Sequence, residues 1–289
     1  MRRRLIAASA LSLVAVLLAA CSPQPEAPSA TADPEVTVER SIDYRTVDGE
    51  TLQLDACLPR DGGENLPSVV LVHGGAFQEG DRSNMSGVCE SIAAQGWAAF
   101  AVDYRLIPDS YPAQVDDVAA AVEWLREPAQ GDRFGISPDG VALLGSSAGG
   151  IIALSTAARL GADGDPVDAV VTLSAAGDLT ADALSLGTPD PALEKVVLGY
   201  LGCATVEDCP DAVAASPRYN VDTLPPTLLV HGSDELIPVA QAEALYRAME
   251  DAGVPVELRI EDGDHHGLQL LTPAVAASVF RFLEDNSSP

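Results

Sequence analysis

Val141-Ala142-Leu143-Leu144-Gly145-Ser146-Ser147-Ala148-Gly149-Gly150 is the stretch on which the reading of this chain turns. A short apolar run passes without a gap into G-S-S-A-G, and an Ala/Ile-rich segment follows from Ala148 to Leu160. A buried strand, a tight bend and a helix are the natural parse. A serine at the apex of such a bend needs small residues two before and two after it, and only Ser147 meets that condition. Framing the motif on Ser146 would put Leu144 and Ala148 at the flanks. The helix that begins at Ala148 aims its first N–H groups at the bend, where they favour negative charge.

Outward from this point, strands and helices take turns. Val36 to Tyr44 and Thr51 to Leu58 alternate in polarity across the turn residues Asp48-Gly49, which predicts a β-hairpin. Ser68–Val72, Trp97–Val102, Val167–Leu173, Thr227–Val230 and Val256–Ile260 read as further strands. Between them, Asp81 to Gln95 takes a helical period in its second half, and Val118, Ala121, Val122 and Leu125 share one face of a helix over 115–125. Helices are also expected at Val239–Asp251 and Pro273–Leu283. A hairpin followed by βα units predicts an α/β fold, with a mostly parallel sheet covered by helices on both faces. Asp178 to Val221 fits no single element, and its length between two strands suggests a small cap or lid.

The first twenty residues have the form of an export signal, with Arg2, Arg3 and Arg4 ahead of an apolar run too short for a permanent span. The run ends in Leu18-Ala19-Ala20-Cys21, which resembles the lipobox of bacterial lipoproteins. That resemblance implies cleavage before Cys21, lipid attached to its thiol, and an extracytoplasmic protein held at the membrane. Ser22 to Pro34 holds four prolines and no apolar period, as a tether would. The expected organisation is therefore a signal peptide over 1–20, a Pro-rich tether over 21–35 and one domain over 36–289. The acidic balance, 43 Asp and Glu against 16 Lys and Arg, excludes nucleic acid as a partner. The other four cysteines, an even count in an exported chain, point to disulfides. The short spacing favours Cys203 with Cys209, which leaves Cys57 with Cys89.

His73-Gly74-Gly75-Ala76-Phe77 follows the third strand, and its glycines let backbone N–H groups approach a substrate oxygen. Together with Asp103-Tyr104-Arg105-Leu106, Tyr111-Pro112-Ala113, Asp117, Trp124-Leu125 and G-S-S-A-G-G, this loop resembles the hormone-sensitive-lipase-like carboxylesterases of the α/β-hydrolase fold. The resemblance extends from about Val36 to Leu283. It implies an oxyanion hole made by the N–H groups of Gly75, Ala76 and Ala148, and a small-molecule or polysaccharide-linked ester as substrate. Ala76 departs from the third glycine common in the family, and Ser146 stands where many members carry an acid.

A serine nucleophile needs a base that is itself oriented by an acid, in the chain order Ser, acid, His. His73 and His231 come too early, which leaves His265 and His266. The run Asp264-His265-His266-Gly267 resembles the family's His-Gly ending and selects His266, with His265 as the alternative. The acid is expected after the strand Thr227–Val230, within His231-Gly232-Ser233-Asp234-Glu235. Resemblance to the family's H-G-x-x-D position points to Asp234, with Glu235 directed elsewhere and Asp178 as the alternative acid. Such chemistry calls for no cofactor and no metal. Two other classes compete: a serine peptidase of related fold, and a catalytically silent surface protein on a hydrolase scaffold.

Overall fold

The computed structural model describes residues 36–187, 191–205 and 208–287. The expected signal peptide, the tether and Cys21 lie outside them. β1 (Val36–Val47) and β2 (Glu50–Pro59) pair antiparallel. Asp48 and Gly49, which join them, both take positive φ, as a tight hairpin turn requires. Alternation then begins with β3 (Leu66–Val72), α1 (Ser86–Ala93), β4 (Ala98–Val102), α2 (Ala113–Leu125), α3 (Pro128–Phe134) and β5 (Ile136–Ser146). It continues through α4 (Ala148–Ala162), β6 (Ala169–Leu173), α5 (Pro191–Leu201), β7 (Thr227–Gly232), α6 (Val239–Ala252), β8 (Val256–Glu261) and α7 (Pro273–Asn286).

The strands form one eight-stranded sheet in the order β1-β2-β4-β3-β5-β6-β7-β8. β1, β2 and β4 meet antiparallel, and every pairing from β4 onward through β8 is parallel. Side chains alternate across the pleat, so β3 sends Val70 and Val72 to one face and Val69 and Leu71 to the other. On the first face they pack with α2, α4 and α6; on the second with α1 and α7. This is the doubly covered parallel sheet that the sequence pattern predicts.

Two elements differ from expectation. α3 is too short for its periodicity to show, although Pro128 at its start and Gly135 in left-handed conformation at its end mark both boundaries. β5 begins at Ile136 rather than Val141, because a register shift between Leu66 and Ser68 accommodates Pro138 and Asp139. The segment between β6 and β7 is the expected cap. It consists of short 3₁₀ turns around α5, closed by a Cys203–Cys209 disulfide. A second disulfide joins buried Cys57 on β2 to Cys89 on α1.

Candidate active site

Parallel register brings the loops together. Val72 lies opposite Gly145, and Leu173 lies opposite both Ser146 and Val230. The residues that follow β3, β5, β6 and β7 therefore emerge side by side at the carboxyl edge, where open α/β sheets place their ligands. Ser147 stands on the bend between β5 and α4 with φ 53° and ψ −120°, a strained backbone for a residue with a side chain. Its N–H donates to Leu173 O at 2.7 Å, which pins the bend. A side chain on Gly145 would strike Gly149 O at 2.2 Å, and one on Gly149 would strike Val72 O at 2.2 Å. Both flanking glycines are thus required by close backbone approach.

His266 Nε2 lies 2.8 Å from Ser147 Oγ. On the other side of the ring, His266 Nδ1 meets Glu235 Oε2. Asp234 does not take part: it is exposed, and its N–H donates to Gly263 O at 3.0 Å. The expected acid is therefore corrected from Asp234 to Glu235. The signal was present in the sequence, since the acid of an H-G-x-x-acid run counted from His231 falls on Glu235. Asp178, the alternative, is buried away from the imidazole and bound to Thr180, Arg218 and Tyr219. His265 is exposed, so of the two adjacent rings His266 alone reaches the serine.

The Glu235 side chain is fully buried. Burial pushes its carboxyl up, but the His266 hydrogen bond, the His231 ring, the Gly232 N–H and the Ser174 hydroxyl together bring it below the usual range. Gly232 N–H and Ser174 Oγ donate to Oε1 at 2.9 and 2.8 Å. Ser174 also accepts from Gly267 N–H at 2.8 Å, so one hydroxyl fixes both the acid and the loop carrying His266. Gly267 itself sits so close to Ser146 that a side chain would lie 2.6 Å from Ser146 Oγ. Burial pushes His231 down, and its Nε2 donates to Ile237 O at 2.8 Å, closing the turn that carries Glu235.

The 73–77 loop lies beside this pair. Gly75 has φ 125°, and a side chain there would lie 1.9 Å from Glu79 O. Ala76 follows at φ 53°, a left-handed conformation costing a residue with Cβ about 1–2 kcal/mol. Gln78 and Glu79 both donate to Gly75 O, at 3.0 and 3.1 Å, which closes the loop on itself. Among the described residues, no group accepts from the N–H of Gly75, Ala76 or Ala148. Tyr104 stacks on His73 at 4.2 Å and donates to its carbonyl, holding the start of the loop. Arg105 grips Asp117 through two hydrogen bonds of 2.8 and 3.0 Å. Within the motif Asp103-Tyr104-Arg105, Tyr104 thus supports the 73–77 loop directly, while Arg105 ties its own segment to α2 through Asp117.

A cavity of about 130 Å3 opens from Ser147. Its wall includes Ile151, Leu179, Val196, Val197 and Ile237, so the cap helix α5 forms one side of it. Phe77 stacks on Tyr200 of α5 at 3.9 Å and ties the 73–77 loop to the cap.

A serine, an imidazole and a buried carboxylate in line, beside unengaged backbone donors on this sheet, define a member of the α/β hydrolases. The chain belongs to the α/β-hydrolase fold family, whose sequence pattern matches residues 69–270. Among its relatives, it is 31% identical to the carboxylesterase/phospholipase LipF of Mycobacterium tuberculosis over 83% of this chain. It spans only 65% of the length of LipF. Carboxylesterase NlhH of the same organism is also 31% identical, over 86% of this chain and 83% of NlhH. A hyperthermophilic esterase from the archaeon Pyrobaculum calidifontis superimposes with a TM-score of 0.71 at 25% identity, over 86% of this chain and 84% of that one.

Proposed function

We propose that the chain is a serine carboxylic-ester hydrolase working through an acyl-enzyme, with Ser147 as nucleophile, His266 as base and Glu235 as the orienting acid. The observation that carries this reading is the 2.8 Å contact between His266 Nε2 and Ser147 Oγ. Ser147 Oγ attacks the ester carbonyl as His266 takes its proton at Nε2. Glu235 holds Nδ1–H and stabilises the imidazolium. The N–H groups of Gly75, Ala76 and Ala148 receive the oxyanion, each worth about 3–4 kcal/mol in such sites. His266 then protonates the leaving alcohol, and water repeats the sequence on the acyl-enzyme. The names of LipF and NlhH as carboxylesterases support the ester class.

Purified protein is expected to hydrolyse p-nitrophenyl butyrate and to be labelled by a fluorophosphonate at Ser147. Turnover persisting in Ser147→Ala at the wild-type rate rejects the assignment. For the location of the protein, the Leu18-Ala19-Ala20-Cys21 run supports export and a lipid anchor on Cys21. Cys21→Ser is then expected to move the enzyme from the membrane fraction to the soluble one.

A further inference from the structure

The cavity beside Ser147 is mostly aliphatic, but Thr180, Glu194 and two buried polar residues also line it, Asp178 and Gln241, which are 1% and 6% exposed. The two differ in what they leave unused. Asp178 Oδ1 accepts from Thr180 N–H at 2.9 Å and Thr180 Oγ1 at 2.6 Å. Its Oδ2 accepts from Arg218 Nη1 at 3.0 Å and Tyr219 OH at 3.1 Å, so both oxygens are satisfied. Gln241 Oε1 accepts from Gly177 N–H at 3.1 Å and Asp178 N–H at 2.9 Å. Two backbone donors decide which end of the amide is oxygen, because the NH2 end cannot accept from them. The NH2 end is therefore fixed too, and among the described residues nothing accepts from it. Gln241 Nε2 is not among the side-chain atoms sealed from solvent without a partner, so water or a ligand in the cavity that Gln241 lines can reach it.

We propose that Gln241 Nε2 donates a hydrogen bond to the substrate and selects esters whose cavity-bound arm carries a second, neutral oxygen. A keto, ether or hydroxyl oxygen meets the requirement. A carboxylate does not, since no lysine or arginine is among the residues lining the cavity and a desolvated charge there lacks a counter-ion. The arm is short, because 130 Å3 lies well below the roughly 300 Å3 at which pockets begin to hold drug-sized ligands. This inference rests on the ester-hydrolase reading and adds the kind of ester.

The test uses two matched substrate pairs, with rates divided by those of spontaneous hydrolysis. p-Nitrophenyl 4-oxopentanoate against the pentanoate places the oxygen in the acyl arm; 2-methoxyethyl butyrate against butyl butyrate places it in the alcohol arm. Wild-type enzyme is expected to favour the oxygenated member of at least one pair by about tenfold in kcat/KM. Gln241→Met is expected to abolish that preference while still turning over the plain ester. A purely structural Gln241 lowers both members equally and leaves the preference intact, which overturns the proposal. Equal wild-type rates in both pairs also overturn it, and that comparison needs no variant to fold. No turnover of any plain ester removes the hydrolase reading itself, a distinguishable result.

Discussion

Glu235 presents one carboxylate oxygen to His266 Nδ1 and the other to Gly232 N–H and Ser174 Oγ. The carboxylate that orients the imidazole is thus held on both sides, while Asp234 beside it faces solvent. Glu235→Gln keeps the shape but removes the charge that stabilises the imidazolium. Its kcat on p-nitrophenyl butyrate is expected to fall by about 10³–10⁴. Asp234→Asn is expected to stay within about threefold of wild type, since it alters a solvated charge outside the hydrogen-bonded array. The reverse pattern would restore Asp234 as the acid.

Ser174 is buried and bridges Glu235 to the N–H of Gly267. Ser174→Ala removes a donor from the acid and leaves the Gly267 N–H without an acceptor, at a cost of about 1–3 kcal/mol in stability. Loss of that donor also raises the Glu235 carboxyl, so the acid limb of the kcat profile should change shape. Thermal unfolding together with a pH–rate profile checks both effects. An unchanged profile would reduce Ser174 to a packing role.

Gly75→Ala forces a side chain against Glu79 O at a φ of 125°. The loop must shift, and the two donors it carries move with it. The expected result is a loss of about 10²-fold or more in kcat, since single oxyanion donors are worth that much. KM is expected to change far less. A proportionate rise in KM would show that the loop positions substrate rather than the transition state.

His73 and His231 are each 1% exposed, and burial pushes both rings down. In the unfolded chain they take protons near pH 6.5, while in the folded chain they resist protonation. Over that window the unfolded state binds more protons, so stability is full above about pH 6.5 and declines as the pH falls below it. Glu235 and Asp55, both lowered, add a second loss of the same sign below about pH 4. Unfolding midpoints from pH 8 to pH 2 check both losses, and a flat profile between pH 7 and 5 would contradict the first.

The Cys57–Cys89 bridge closes a sequence separation of 32 residues between β2 and α1. The double replacement Cys57→Ala with Cys89→Ala is expected to cost about 3–4 kcal/mol, as chain-entropy arguments give for a loop of this length. Urea unfolding measures it. Activity should persist below the shifted midpoint, because neither cysteine is among the residues lining the cavity at Ser147.

Much of this site is written locally in the chain. A strand, a small-residue bend and a helix are consecutive in sequence, so Ser147 needed only near neighbours to be found. The same holds for the hairpin turn at Asp48-Gly49 and for the glycines of the 73–77 loop. α3 escaped because seven residues give too few turns for a period. His266 and Glu235 are different in kind, since each has an adjacent rival of the same chemistry. His265 and Asp234 carry the same groups, so residue type does not separate them; only the spacing from His231 and the Gly after His266 do.

The chain's order of residues by itself determined the sheet, the bend bearing Ser147 and the loop of backbone donors, because period, glycine spacing and turn chemistry act over short range. The packed structure decided that Glu235 rather than Asp234 meets the imidazole, and that the NH2 end of Gln241 is left without a protein partner among the described residues. Those choices depend on the register of β5, β6 and β7, which sets direction across 119 residues between Ser147 and His266.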